Sequence, residues 1–248
     1  MKKTMIAGAA GAAVAMLAAP AYAELEGEIS LDYQDGYHYR GVSDLIDQFT
    51  NANDTLTSSV DLTYSLNDNW AVVGGASFST LSNTGFDHNS WRVGVKYTSE
   101  CFTAELGFQN QEIETGFGDI DTGEIYLNLG TKCPYTGGNV NLFIANDSDV
   151  FDGTFVELSW NRAWELCDKC SVDVTAAVSY SFDYWDNFTG NGSDWNSVSL
   201  TVALPYQLTD NLVVAPYIRY SNGLDALDLG AIEEDDQVGF GVKATVKF

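Results

Sequence analysis

Histidine is scarce, with two among 248 residues, so a histidine placed beside a nucleophile is the first feature to weigh. In His88-Asn89-Ser90 a base and a hydroxyl stand two residues apart. On an extended strand that spacing puts both on one face, where an imidazole can take the serine proton. His38, the other histidine, has no such neighbour and is read as a hydrogen-bonded interior residue. Cys167-Asp168-Lys169-Cys170 has the spacing of thiol oxidoreductases, but that chemistry needs a helix N-terminus to depress the thiol pKa. The flanking segments here alternate like strands, so the spacing predicts a structural disulfide across a turn. Two acidic runs, Asp147-Ser148-Asp149-Val150-Phe151-Asp152 and Glu233-Glu234-Asp235-Asp236, offer oxygen ligands. Calcium takes about 6 to 8 of these, and neither run has EF-hand spacing, so both are read as solvated loops; calcium binding and a milder enrichment of cations at the mouth are the alternatives. No Cys/His ligand cluster occurs, and no metal or cofactor is predicted. Four Asn-x-Ser/Thr sites, at Asn53, Asn146, Asn187 and Asn191, are read as turn chemistry.

The elements that position these residues follow from two patterns. The chain opens Met1-Lys2-Lys3, runs through the apolar stretch Met5 to Leu17 and reaches Ala21-Tyr22-Ala23 before Glu24. This is the layout of a cleaved secretory signal peptide, so residues 1–23 are assigned to it and 24–248 to one mature domain. The apolar core falls short of the roughly 20 residues that a spanning helix needs. From Glu24 onward the dominant pattern is alternation with period two. In the last segment Val238, Phe240, Val242, Ala244, Val246 and Phe248 alternate with Gln237, Gly239, Gly241, Lys243, Thr245 and Lys247. The same pattern recurs through twelve segments, beginning near Leu25, Leu56, Trp70, Asn89, Phe102, Gly123, Val140, Thr154, Ser171, Ser197, Leu212 and Gln237.

Between them short and long connections alternate. The short ones lie at 67–69, 98–100, 132–138, 164–169 and 209–211. The long ones lie at 41–54, 80–88, 111–121, 146–153, 184–194 and 222–236. A transmembrane up-and-down β-barrel has that rhythm, with short turns on one side and long loops on the other. Closure leaves no sheet edge for lipid to meet. A soluble β-sandwich alternates too, but it gives no reason for the long-short regularity. Nor does it account for aromatics near segment ends, including Tyr33, Tyr37, Tyr39, Tyr64, Trp70, Phe78, Trp91, Tyr97, Trp160, Tyr180, Tyr206 and Tyr220, which suit interfacial girdles. Four cysteines behind a signal peptide predict disulfides. All of them fall at the short-turn side, and of three connectivities the local one, Cys101 with Cys133 and Cys167 with Cys170, is expected.

If the apolar face meets lipid, the opposite parity faces the lumen. It carries Glu28, Asp32, Gln34, His38, Arg40, Asp61, Arg92, Lys96, Glu105, Glu124, Glu157, Asp173, Arg219, Lys243 and Lys247. Such a mixed-charge interior either lines a water path that sorts ions or pairs across the barrel and fills it. His88 and Ser90 share this parity, whereas outer-membrane phospholipase A, which has the same His-x-Ser spacing, works on its lipid-facing surface. The chain carries 11 Lys and Arg against 35 Asp and Glu, a formal charge of −24. Loss of Lys2 and Lys3 leaves about −26 by the same count. That surface excludes nucleic acid as a partner and favours cations.

The final strand, ending at Phe248, resembles the C-terminal signal that barrel assembly machinery reads. Tyr37-His38-Tyr39-Arg40-Gly41-Val42-Ser43 resembles the aromatic-x-aromatic-Arg-Gly-x-Ser segment of TorF-type putative porins, over seven residues, with similar length and strand layout. The resemblance implies a porin of undefined substrate, with Arg40 facing the lumen. The expected function is therefore a twelve-stranded, non-enzymatic channel of the bacterial outer membrane, passing small hydrophilic solutes with a bias toward cations. A non-conducting structural or adhesion barrel with working outer loops is the alternative, and a lipase a more distant one. Val42 to Phe49 has apolar residues at roughly helical spacing, which suggests an inward or interfacial helix in the first long loop.

Overall fold

A computed structural model of the chain describes residues 25–40, 54–81, 86–115, 118–227 and 237–248. The proposed signal peptide and the helix expected over 42–49 lie outside these residues. Alternating apolar and polar side chains, rich in Val, Thr, Tyr and Phe, favour extended backbone. The strands are β1 (Leu25–Asp35), β2 (Asp54–Ser65), β3 (Trp70–Leu81), β4 (Asp87–Thr98), β5 (Phe102–Thr115), β6 (Gly118–Lys132), β7 (Asn139–Asp147), β8 (Gly153–Cys167), β9 (Cys170–Phe182), β10 (Asp194–Ala203), β11 (Tyr206–Gln207), β12 (Leu212–Gly223) and β13 (Gln237–Lys247). A four-residue helix, α1 (Asp186–Thr189), and a 3-10 turn at Asp225–Leu227 lie in the connections.

Neighbouring strands pair antiparallel, with β10 and β11 both lying between β9 and β12, and β13 pairs with both β12 and β1, which closes the sheet. The thirteen strands make twelve staves, because β10 and β11 are two pieces of one. Ala203 faces Asp173 and Tyr206 faces Cys170 in a single unbroken register. The interruption falls at Leu204-Pro205, where proline has no N–H to give the ladder. The seam between the chain ends is sealed by reciprocal bonds from Gly27 N to Phe248 O (2.9 Å) and from Phe248 N to Gly27 O (3.0 Å).

Polarity is inverted relative to a water-soluble sheet. Ile29, Leu31, Tyr33, Val93, Val95, Leu106, Ile125, Leu158, Val238 and Phe240 are exposed on the outer face, while Ser30, Glu105, Gln109 and Glu124 are buried inside. A sandwich would bury the first set and wet the second, so the soluble alternative is excluded. Outward aromatics stack at the short-turn end, with Trp70 on Tyr97 (4.9 Å) and Tyr97 on Phe102 (5.7 Å). At the loop end Tyr180 contacts Phe182 (4.7 Å) and Trp195 (5.4 Å). Tyr37 and Tyr39, expected in the girdles, instead lie inside the barrel.

Two sequence expectations need correction here. The sixth strand begins at Gly118 rather than near Gly123, and the fifth runs on to Thr115. In this outermost part the facing parity continues but the polarity reverses: Asp119 and Asp121 are exposed, while Ile113 is buried and Ile120 packs inward. The hairpin therefore extends beyond the apolar belt, where the alternation rule no longer holds.

The cysteines divide. Cys167 and Cys170 face each other across a two-residue turn, with Cα atoms 5.0 Å apart, and form a disulfide. The expected Cys101–Cys133 bridge is absent, and both thiols are free. Their hairpin pairs Phe102 with Thr131 and Thr103 with Gly130, a register that sets Cys101 across from Lys132. Cys133 is one residue out of step, and a one-residue offset turns its side chain toward the opposite face. In folded, unreduced protein a maleimide should therefore add to two thiols by mass spectrometry, and to all four only after reduction and unfolding. No addition before reduction, and four after reduction and unfolding, would show that Cys101 and Cys133 are bridged.

Candidate functional site: the barrel interior

The first strand ends at Asp35, so Tyr37 to Arg40 do not continue the wall as the sequence pattern implied. Gly36 adopts φ 76°, a left-handed conformation that costs glycine little, and the chain turns into the barrel. Thr55 Oγ1 donates to the Gly36 carbonyl (2.8 Å) and pins the turn. Tyr37 Oη then meets His88 Nδ1 (2.5 Å), and His88 Nε2 meets Gln111 Oε1 (2.8 Å). The Tyr39 ring stands edge-on to the same imidazole at 4.7 Å. His38, outside the strands, packs near Gly239; burial, with the Arg219 charge nearby, lowers its pKa to about 4.

Arg40 closes this segment. Its guanidinium pairs with Glu124, Nη1 to Oε1 and Nη2 to Oε2 (2.6 Å), and Nη1 also reaches Tyr184 Oη. Tyr184 Oη donates to Glu124 Oε1 (2.6 Å) and Gln109 Nε2 donates to Oε2 (2.5 Å). The Glu124 carboxylate thus accepts four hydrogen bonds. Its side chain is 0% exposed and that of Arg40 8%, so each charge depends on the other. The Arg40 Cζ also lies 4.8 Å from the centre of the Tyr184 ring, 4.9 Å from Phe155, 5.2 Å from Tyr39 and 5.8 Å from Phe143. Around them Phe151, Phe155, Tyr184, Trp185 and Leu227 form a buried cluster under the long loops, and Tyr37, Leu81, Phe86 and Ile113 form a second.

Away from this packed chamber the interior is more open and more polar. Arg92 bridges Asp61 (2.8 Å) and Glu105 (2.9 Å), with its side chain 38% exposed. Tyr126 Oη donates to Glu105 (2.7 Å). Tyr217 Oη meets Asp32 (3.0 Å) and Gln34 (3.1 Å), Arg219 Nε donates to Thr201 (3.2 Å), and Ser171 donates to Asp173 (2.7 Å). Hydroxyls pair across strands, Ser30 with Ser59 (2.7 Å), Thr57 with Ser79 (2.8 Å) and Ser77 with Ser90 (2.8 Å). Glu28, Lys96, Glu157, Lys243 and Lys247 occupy the same inward parity of their strands. Arg40–Glu124, Arg92–Asp61 and Arg92–Glu105 are the ion pairs among the described residues.

The NanC porin superposes with a TM-score of 0.53 over 90% of this chain and 100% of that chain, at 12% identity. The barrel has an outer-membrane porin fold. The KdgM porin matches at a TM-score of 0.48, over 88% of this chain and 99% of that chain, also at 12% identity. No protein-family model and no curated protein matches the sequence.

Within this porin fold the His88–Ser90 pair is not assembled as a dyad. Both imidazole nitrogens are held by Tyr37 and Gln111, and the Ser90 hydroxyl is bonded to Ser77. Parity alone brought Arg40 and Glu124 to the interior but did not predict their meeting, 84 residues apart in sequence. Tyr184, Trp185 and Asn196 were missed entirely. Tyr184 and Trp185 follow the end of β9 and read as loop. Asn196 sits at a bulge between Trp195 and Ser197, where one extra residue breaks the alternation; its Nδ2 donates to the Arg40 carbonyl (2.7 Å).

Proposed function

We propose that the mature chain is a diffusion channel of the bacterial outer membrane, admitting small hydrophilic solutes and narrowed near its outer mouth by the inward Tyr37–Arg40 segment. The observation that carries this reading is the closed barrel with an apolar exterior and a charged, hydroxyl-rich interior, because only that inversion suits a wall between lipid and water. The short-turn end faces the periplasm in this arrangement, and the signal peptide at 1–23 delivers the chain there. Phe248, exposed beside the seam, is the residue offered to the assembly machinery. The TorF-type segment supplies the constriction, since its two tyrosines and its arginine are the residues that turn inward. Of the candidate lumen groups, seven are carboxylates (Glu28, Asp32, Asp61, Glu105, Glu124, Glu157, Asp173) and six are cations (Arg40, Arg92, Lys96, Arg219, Lys243, Lys247). With the acidic loops, that balance favours cations over anions at the mouth.

Single-channel recording of refolded protein in a salt gradient tests both parts. Discrete conductance steps with a reversal potential toward the cation side are expected. Anion preference would remove the selectivity claim. A silent bilayer with folding confirmed by heat-modifiable gel mobility would favour the second reading, a sealed barrel that works through its loops. The packed cluster of Phe151, Tyr184, Trp185 and Leu227 beneath those loops is the specific observation on its side.

A further inference from the structure

We propose that the chamber formed by Glu124, Tyr184, Phe155, Phe143 and Tyr39 is a binding site for a guanidinium-bearing organic cation, and that Arg40 occupies it as a tethered stand-in for that ligand. The chamber has the two parts such a ligand requires. A carboxylate takes both ends of the planar fork, Nη1 and Nη2 on the two oxygens of Glu124, the geometry that distinguishes a guanidinium from a point charge. Four aromatic rings then lie 4.8 to 5.8 Å from the cationic carbon, within the range of cation–π attraction. A calcium or magnesium ion would find one carboxylate and a phenol where it needs about six oxygens.

Two further observations indicate that Arg40 does not exhaust the site. Asn196 Oδ1 and Trp185 Nε1 are buried beside this chamber without a hydrogen-bond partner, although buried polar atoms are rarely left unpaired. They offer an acceptor and a donor to a ligand larger than the arginine head. Arg40 itself has φ 50°, a left-handed backbone that costs a non-glycine residue free energy. A free cation would take the same contacts without that cost, so exchange is feasible where an unstrained internal ligand would resist it. If the channel reading holds, the exchange also withdraws Arg40 from the constriction, and the site then selects the solute class that opens it.

The experiment uses the full refolded barrel with Arg40→Ala, probed with millimolar guanidinium chloride and with agmatine, against sodium chloride at equal ionic strength and urea as controls. Arg40→Ala is expected to conduct severalfold more than the wild type. Either guanidinium probe should abolish most of that gain and raise the unfolding temperature, while sodium and urea do neither. Arg40→Ala/Glu124→Gln should lose the response. No response of Arg40→Ala to either probe, in current or in unfolding temperature, overturns the proposal, as does a response that survives loss of Glu124. If Arg40→Ala refolds poorly, its refolding yield serves as the readout: an increase with agmatine supports the site, and an unchanged yield overturns it. Silence of every variant in the bilayer would fault the channel reading alone, because the unfolding temperature still decides whether the site binds.

Discussion

Glu124→Gln should destabilise the barrel by about 3–5 kcal/mol, the usual result of leaving one charge of a buried pair without its partner. The carboxylate is 0% exposed and accepts bonds from Arg40, Tyr184 and Gln109 at once. Glutamine keeps the shape but removes the negative charge that compensates the Arg40 guanidinium, which is itself 8% exposed. The loss should appear as a lower denaturant midpoint in micelles. Arg40→Ala/Glu124→Gln should recover most of it, because removing both charges leaves no uncompensated ion. If the double variant were as unstable as Glu124→Gln, the cost would come from the lost bonds to Tyr184 and Gln109 rather than from the stranded charge. In the bilayer Glu124→Gln should also be noisier than the wild type, since the inward segment loses its anchor.

How much of this was legible in the sequence depends on whether a feature is local. Alternation in β9 or β13 fixes which face each residue takes, and the long-short connections fix the stave count. Both are short-range properties, and both appear in the structure as twelve staves with polar groups inside. The pattern misled wherever the chain leaves the wall. Tyr37 to Arg40 keep a period-two spacing of aromatic residues and so read as the end of β1, yet the freedom of Gly36 lets the segment fold inward. The Cys101–Cys133 pairing failed for a related reason: proximity along a hairpin is legible, whereas the one-residue register that decides facing is set by the whole ladder. The chamber around Arg40 was the least legible part. Its components come from five separate stretches of the chain, and two of them, Tyr184 and Trp185, have no periodic context that would mark them as interior.

Register also governs the second large effect, at Gly107. Gly94 and Gly107 face each other across β4 and β5, and the Tyr126 phenol lies over both. A Cβ on Gly107 would stand 2.4 Å from the Val93 carbonyl oxygen and 2.6 Å from Tyr126 Oη. On Gly94 it would stand 2.8 Å from the same hydroxyl. Contacts that short require the wall or the phenol to move, and moving the phenol breaks its bond to Glu105 and loosens the Arg92 bridge. Gly107→Ala should therefore cost about 1–3 kcal/mol as overpacking, read from denaturant unfolding in micelles. Gly74→Ala is the matched control: its nearest neighbour would be the Arg92 carbonyl at 3.6 Å, so the change should stay within about 0.5 kcal/mol. Equal effects at the two positions would mean that glycine acts here through the unfolded chain rather than through the space the phenol occupies. A loss confined to Gly107 would establish that the Gly94–Gly107 slot holds Tyr126 in place, and with it the Arg92, Asp61 and Glu105 charges of the middle lumen.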